Sequence, residues 1–323
     1  MARSATRRGD DRFEAGRATT LLPDEGQVLG IDVGFSATRK TTCFCHVAWT
    51  KTSATWSFRA TTSDASERGR AVAALLLPGR VAAVAIDGPL TPSLEHVTHY
   101  RAAEAMLSRG ALQKRGKPGQ TSAPVGQRLH HHATTLARLV LHSAEVMPAQ
   151  PAGSVRRRAV VEAFPNLYLA ALVPEPELPA LKRDATDRYW RVLVDRSDRL
   201  RSVLERALAG RRPGIDLAAV RDHEQRAGVV CAMTALAVAA GRYVAVGDPA
   251  DGDIILPARS EWGLAADGTV AWLEPVLLSN LASVRTARTC HANHRDARVI
   301  VRDEQELGPP WTSTQPSSQT SHP

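Results

Sequence analysis

The sequence predicts an α/β fold, a mixed five-stranded sheet flanked by helices and carrying insertions, and three observations predict it. Val28 to Gly34 reads Val-Leu-Gly-Ile-Asp-Val-Gly, an apolar run closed by glycine with one carboxylate near its end. Such a run has the pattern of a buried strand. Val81 to Ile86 is a second wholly apolar run, and it too is followed by a carboxylate, Asp87, and then Gly88-Pro89. Between them the pattern gives two further strands and a helix, an order of strand, strand, strand, helix, strand.

Each element follows from its own residues. Thr42 to Trp49 and Ala54 to Thr61 alternate polar and apolar side chains, and the short polar link Thr50-Lys51-Thr52-Ser53 predicts an antiparallel meander with the first strand. Asp64 to Leu77 reads as a helix, with Ser63 or Asp64 as cap and Pro78-Gly79 as its stop. A crossover helix lays the next strand parallel to and beside the first, so Asp32 and Asp87 meet at one end of the sheet. A helix is expected from about Ala133 to Val146, then a linker near Pro148 to Gly153, then a fifth strand, Ala159 to Phe164, with Glu162 inside it. Leu181 to Val194 and Asp195 to Ala209 read as solvated helices. Asp222 to Gly241 is the most strongly patterned helix; its buried stripe Val229, Met233, Leu236, Ala240 extends backwards through Arg226 to Asp222. Val244 to Val246 and Asp253 to Leu256 read as short strands or as a loop carrying Asp248-Pro249-Ala250-Asp251-Gly252.

A chain of 323 residues buries a large core. The organisation expected is a flexible basic extension over 1–26, a main domain over 27–262 with a basic loop insertion at about 100–132, a C-terminal elaboration over 263–307 and a disordered tail over 308–323. No window approaches the roughly 18 uninterrupted apolar residues of a spanning helix, and Met1 to Gly26 lacks the apolar core of a signal peptide. A cytoplasmic address without membrane contact is the expectation. Four cysteines, at 43, 45, 231 and 290, are too few and too scattered for a secreted disulfide framework. The balance of 41 Lys plus Arg against 33 Asp plus Glu gives +8, which favours a polyanionic partner such as nucleic acid.

The chemistry concentrates on acids. A carboxylate in an apolar strand costs several kcal/mol unless it is paired or holds a cation, and two at one sheet end repel unless a cation sits between them. Asp32 and Asp87 therefore read as metal ligands, and Glu162 as a third. Asp222 is the expected fourth, with Glu224 or His223 as fallback, although Asp222 as a helix cap and Glu224 as a dipole-matching acid explain themselves without metal. The excursion from Tyr100 to His132 is basic, and its Gly/Pro-rich middle is expected to be an irregular substrate-facing loop. Arg115, Lys117 and Arg128 there, with Arg156 and Arg157 ahead of the fifth strand, are the expected phosphate contacts. Asp32-Val33-Gly34 with Ser36 and Thr38 also fits the phosphate hairpin of an actin-like or Hsp70-like ATPase, but no second Asp-x-Gly loop and no duplication accompany it. Zinc-knuckle spacing, a nucleophile elbow and a Walker loop are absent from the sequence.

Gly30-Ile31-Asp32-Val33-Gly34, Ala85-Ile86-Asp87-Gly88-Pro89, Val161-Glu162-Ala163-Phe164-Pro165, the Cys231-Ala232-Met233-Thr234-Ala235 helix and Gly247-Asp248-Pro249-Ala250-Asp251-Gly252 stand in this order over about residues 27 to 262. Together they resemble the predicted RNase H-like nuclease family catalogued as domain of unknown function 429. The resemblance implies an RNase H-like fold and acids that bind divalent metal, with Asp32, Asp87 and Glu162 matching the family's acidic positions. The family's final helix carries an acid close before its small-residue run, where this chain has Arg226-Ala227-Gly228. Oxygen-only ligands favour Mg²⁺ or Mn²⁺. The expected function is phosphodiester hydrolysis of DNA or RNA by two metal ions; the alternatives are a catalytically degenerate nucleic-acid-binding protein of this fold and the ATPase.

Overall fold

A computed structural model describes residues 14–17, 22–144, 146–148, 159–180, 184–287 and 294–303. The strands are β1 (Glu14–Arg17), β2 (Gly26–Asp32), β3 (Thr42–Trp49), β4 (Ala54–Thr61), β5 (Val81–Asp87), β6 (Met147–Pro148), β7 (Ala159–Ala163), β8 (Tyr243–Asp248), β9 (Gly252–Pro257) and β10 (Arg298–Asp303). The helices are α1 (Ala65–Leu75), α2 (Ala102–Leu107), α3 (Pro124–Ala144), α4 (Pro165–Leu172), α5 (Ala185–Trp190), α6 (Arg199–Ala207), α7 (His223–Ala239) and α8 (Leu273–Thr286).

The strands form one mixed sheet in the order β1-β10-β8-β9-β7-β5-β2-β3-β4, with β6 also beside β7. The expected five strands are contiguous in it, as β4-β3-β2-β5-β7, but the sheet is not five-stranded. Eight of the strands have five residues or more, because β9 pairs with β7 in parallel and brings β8 and β10 with it. Tyr243–Asp248 and Gly252–Pro257 are buried at every position, which is why the hairpin extends the sheet rather than decorating it. The C-terminal segment thus belongs to the same sheet, and Glu14–Arg17, inside the expected flexible extension, pairs with β10. The rest of that extension up to residue 21, most of the 148–153 linker, Arg156, Arg157, Cys290 and the tail over 308–323 lie outside the described residues.

Helices cover both faces. The apolar sides of α1 and α3 pack with Leu29, Ile31, Val84 and Ile86 on one face. On the other, α7 lies with α2, α4 and α8 against Val28, Ala83, Ala85 and Val161. Gly30 decides the second packing: a Cβ there would stand 2.1 Å from the Ala232 nitrogen and 2.5 Å from the Gly228 oxygen. Glycine on β2, facing the small-residue run of α7, lets helix and strand backbones touch. Gly228 and Ala232 lie four residues apart on one side of the helix, which fixes the direction of α7 across the sheet.

The basic excursion is more regular than expected. It contains α2, a 3-10 turn at Gly110–Lys114 and the first turns of α3, which begins at Pro124 rather than Ala133. Proline at the first helical position is compatible with a helix start. Gly126 reads as a breaker in sequence, yet here it admits the Gln120 carbonyl, 2.0 Å from where a Cβ would stand. Apart from short joints at 100–101 and 108–109, its irregular part is confined to residues 115–123. Among the described residues no helix is long and apolar enough to cross a membrane.

Candidate functional site

Asp32 closes β2 and Asp87 closes β5, and the two are register partners on adjacent parallel strands. Parallel strands lie about 4.8 Å apart, and partners share a face. Alternate residues also share a face, so Asp32 lies on the side of Gly30, toward α7. Among the described residues neither carboxylate accepts a hydrogen bond or forms an ion pair. Burial raises the Asp32 carboxyl well above the usual carboxylate range, and Asp87, Glu224 and Asp222 add to the effect. Asp87 is pushed up to about 7, by burial first and by the charge of Glu162 second.

The other predicted acids are placed differently. Glu162 is in register with Ile86, one residue out of phase with Asp87, and so points to the opposite face. Both of its oxygens are engaged: Arg101 Nη1 and Nη2 donate to Oε2 and Oε1 at 2.7 and 2.8 Å, and the Leu90 N–H donates to Oε2 at 2.9 Å. Burial still raises its carboxyl, against the pull of Arg101. Asp222 is exposed and caps α7, accepting from the Gln225 N–H at 3.0 Å. His223 pairs with Asp187 at 3.2 Å. Arg226, at the position where the family resemblance expects an acid, donates to Asp187 Oδ1 at 2.9 Å and to the Val220 carbonyl at 3.1 Å. Its guanidinium also lies 5.9 Å from the Trp190 ring, so it turns toward α5. Glu224 is half-buried and, among the described residues, has no hydrogen-bond or ion-pair partner. The structure therefore brings Asp32 and Asp87 together, and it sets Glu224 and Asp222 close enough for their charges to act on Asp32. Among the described residues no three His, Cys, Asp or Glu side chains are drawn together as a formed metal-binding group.

A cavity of about 60 Å³ opens beside Asp87, lined by Gly88, Arg101, Glu162, Pro118, Gly119 and Thr121 among others. It is large enough for a few waters or a small ion. The irregular middle of the excursion thus forms one wall of a cleft that begins at Asp87. That wall is held by a charged cluster that sequence reasoning did not find. Arg101 and Glu104 are each 1% exposed and bond at 2.8 Å. Glu104 in turn accepts from the Thr121 N–H at 3.0 Å and from the Thr121 hydroxyl. The signal was available: a carboxylate inside an apolar strand calls for a cation, and Arg101 heads the apolar stretch Ala102–Leu107.

Of the predicted phosphate contacts, Lys117 and Arg128 are exposed and Arg115 is half-buried, with its carbonyl accepting from the Tyr189 hydroxyl at 3.1 Å. In the loop after β2, Ser36 Oγ accepts from the N–H groups of Thr38 and Arg39 at 3.4 and 3.0 Å, closing the turn on itself. Cys43, Cys45 and Cys231 are buried free thiols. Compared with protein-family models, curated proteins and solved structures, the chain matches none.

Proposed function

We propose that this chain is an RNase H-like, divalent-metal-dependent nuclease that hydrolyses phosphodiester bonds of DNA or RNA. One observation carries the reading: two carboxylates, Asp32 and Asp87, stand at the same register position of adjacent parallel strands without any protein partner among the described residues. With both acids ionised such a pair is electrostatically unfavourable, and a divalent cation would relieve it. The donor set is oxygen only, which suits Mg²⁺ or Mn²⁺. The order of the five contiguous strands, an antiparallel meander followed by two parallel strands, agrees with the expected fold.

In this reading Asp32 and Asp87 hold the cation, and Glu224, rather than the capping Asp222, supplies the acid of the last helix. When bound, the metal supplies Lewis-acid stabilisation of the charge that develops on a phosphodiester under attack by water. Arg101 holds Glu162 fixed on the opposite face, where its charge acts on Asp87. Lys117 and Arg128 hold flanking phosphates, a backbone contact that positions without reading sequence.

The test is cleavage of mixed DNA and RNA by the purified chain in Mg²⁺, Mn²⁺ or EDTA, beside the double variant Asp32→Asn/Asp87→Asn. Metal-dependent cutting that the double variant loses, by a factor of about 10² or more, is the expected result. Cutting that survives in the variant overturns the reading. A second reading, a nucleic-acid-binding protein of this fold without turnover, is favoured by the engagement of Glu162 with Arg101 and of Asp222 with its own helix. It predicts no cutting in any metal, with binding equal in wild type and variant.

A further inference from the structure

At the sheet end that carries the carboxylate pair, on the face covered by α1 and α3, lies a cationic corner. Arg68, on α1, is 1% exposed. A buried guanidinium is costly unless it is paired with an anion, yet its partners are all neutral. Nη2 donates to the Thr42 hydroxyl at 2.8 Å and to the Gly34 carbonyl, Nη1 meets His132 Nδ1 at 3.2 Å, and Nε has no partner. Gly34 is two residues beyond Asp32, at most about 7 Å along the chain. Thr42 immediately precedes Cys43, the register partner of Asp32 on β3.

The arrangement determines a proton. An arginine only donates, so Nδ1 of His132 is the acceptor and Nε2 carries the hydrogen. Among the described residues that Nε2–H has no partner, and the ring is half-buried. Phe35 stacks on it, with centroids 6.3 Å apart and planes 7° apart. The exposed guanidinium of Arg128 lies 4.7 Å over the same Phe35 ring. No carboxylate among the described residues pairs with Arg68 or Arg128. Glu67, the acid beside Arg68 in sequence, is taken up by the N–H and hydroxyl of Thr62. The field at the corner is positive: burial and then the charges of Arg68, His131 and Arg128 all hold the His132 imidazole below its ordinary value.

The geometry points to a phosphate-binding subsite in which the His132 Nε2–H and the Arg128 guanidinium hold one phosphate of a nucleic-acid strand, next to the phosphodiester at Asp32 and Asp87. Arg68 acts as a positioning residue that fixes the His132 tautomer and supplies buried positive charge. The subsite rests on the proposed nucleic-acid reading, and it goes further by naming the neutral donor and the cation that seat a neighbouring phosphate.

The experiment measures binding of a fluorescent single-stranded DNA and RNA to the full chain in EDTA, where turnover plays no part, over a range of salt. Arg128→Ala is expected to weaken binding about three- to tenfold and to reduce the salt slope by about 0.7, one phosphate's share for a single strand. His132→Ala is expected to weaken binding similarly at pH 7.5 with the slope unchanged, because the group lost is a neutral donor. His132→Gln, which keeps an N–H, recovers part of it. Arg68→Met is expected to weaken binding at pH 7.5 as well, because the donor that fixes Nδ1 as the acceptor is lost. Arg201→Ala, on exposed α6, is the control.

Equal losses at Arg201 and Arg128, or no loss at either Arg128 or His132, overturn the subsite. Inorganic phosphate and ATP are run as competitors; if ATP binding depends on His132 and strand binding does not, the nucleic-acid source is wrong. Absence of cutting, with binding still dependent on His132 and Arg128, overturns the nuclease and leaves the subsite standing. Intact metal-dependent cutting with indifferent binding does the reverse.

Discussion

Two carboxylates at one register position set the energetics of the candidate site before any ligand arrives. The free carboxyl of aspartate titrates near 4, whereas burial and Glu162 push Asp87 up to about 7. A group whose pKa is raised by folding contributes stability where it is protonated in both states, below about pH 4, and loses that contribution as pH rises through about 7. In EDTA, Asp87→Asn is therefore expected to be more stable than wild type at pH 8, by on the order of 2 kcal/mol, with the two converging near pH 4. Urea titrations at a series of pH values check it. Saturating Mn²⁺ should reverse the order at pH 8, since a ligand at 100 times its Kd stabilises the binding-competent chain by about 2.7 kcal/mol. At this scale the sequence was informative for residues whose surroundings are local. Asp32 and Asp87 were legible because each ends an apolar run. The engagement of Glu162 was not, because its partner Arg101 is 61 residues away, at the cap of a helix the excursion pattern concealed.

Between elements, the seating of α7 on β2 decides where an acid of the last helix stands. The helix was legible almost to the residue, with Asp222 as its cap and α7 running to Ala239. What the sequence pattern left open was which first-turn acid faces the sheet. Stripe extrapolation favoured Asp222, but a cap residue is outside the helical repeat, and its side chain turns back to the Gln225 N–H. Glu224 is the first-turn acid left without a partner among the described residues. Gly30→Ala tests the coupling of packing to site. Its Cβ would meet backbone atoms of Gly228 and Ala232 rather than a movable side-chain end. A loss of about 3 kcal/mol is expected, and with α7 pushed off β2, Mn²⁺ should stabilise the folded variant less than it stabilises wild type. Undiminished stabilisation by Mn²⁺ would remove α7 from the metal site. The same distinction between local and distant signals explains α3: Pro124 and Gly126 read as loop residues, and only the packing of Gly126 against Gln120 shows why a helix tolerates them there.

Across the whole molecule, the order and direction of β2, β3, β4 and β5 followed from short links and a crossover helix, so the end of the sheet that gathers Asp32 and Asp87 was predictable. The strands beyond β7 were less so, because β10 pairs with β8 across a long separation and no local pattern announces it. Long-range pairing likewise governs the excursion between β5 and β7. Its wall of the cleft is attached through one buried cation shared by two buried acids, Arg101 with Glu104 and Glu162. Removing the cation leaves two buried carboxylates uncompensated, and breaking such a cluster from one side typically costs about 3 to 5 kcal/mol. Arg101→Met should lose that much in urea unfolding and expose residues 115–121 to limited proteolysis in the native state. The triple variant Arg101→Met/Glu104→Gln/Glu162→Gln removes all three charges together and should recover most of the stability, because no ion is left buried alone. If the triple variant regains stability while residues 115–121 stay protected in both variants, the cluster supports the core alone. If proteolysis tracks the loss of Arg101, the same cluster shapes the cleft beside Asp87, and a substitution remote from the carboxylate pair would alter access to it.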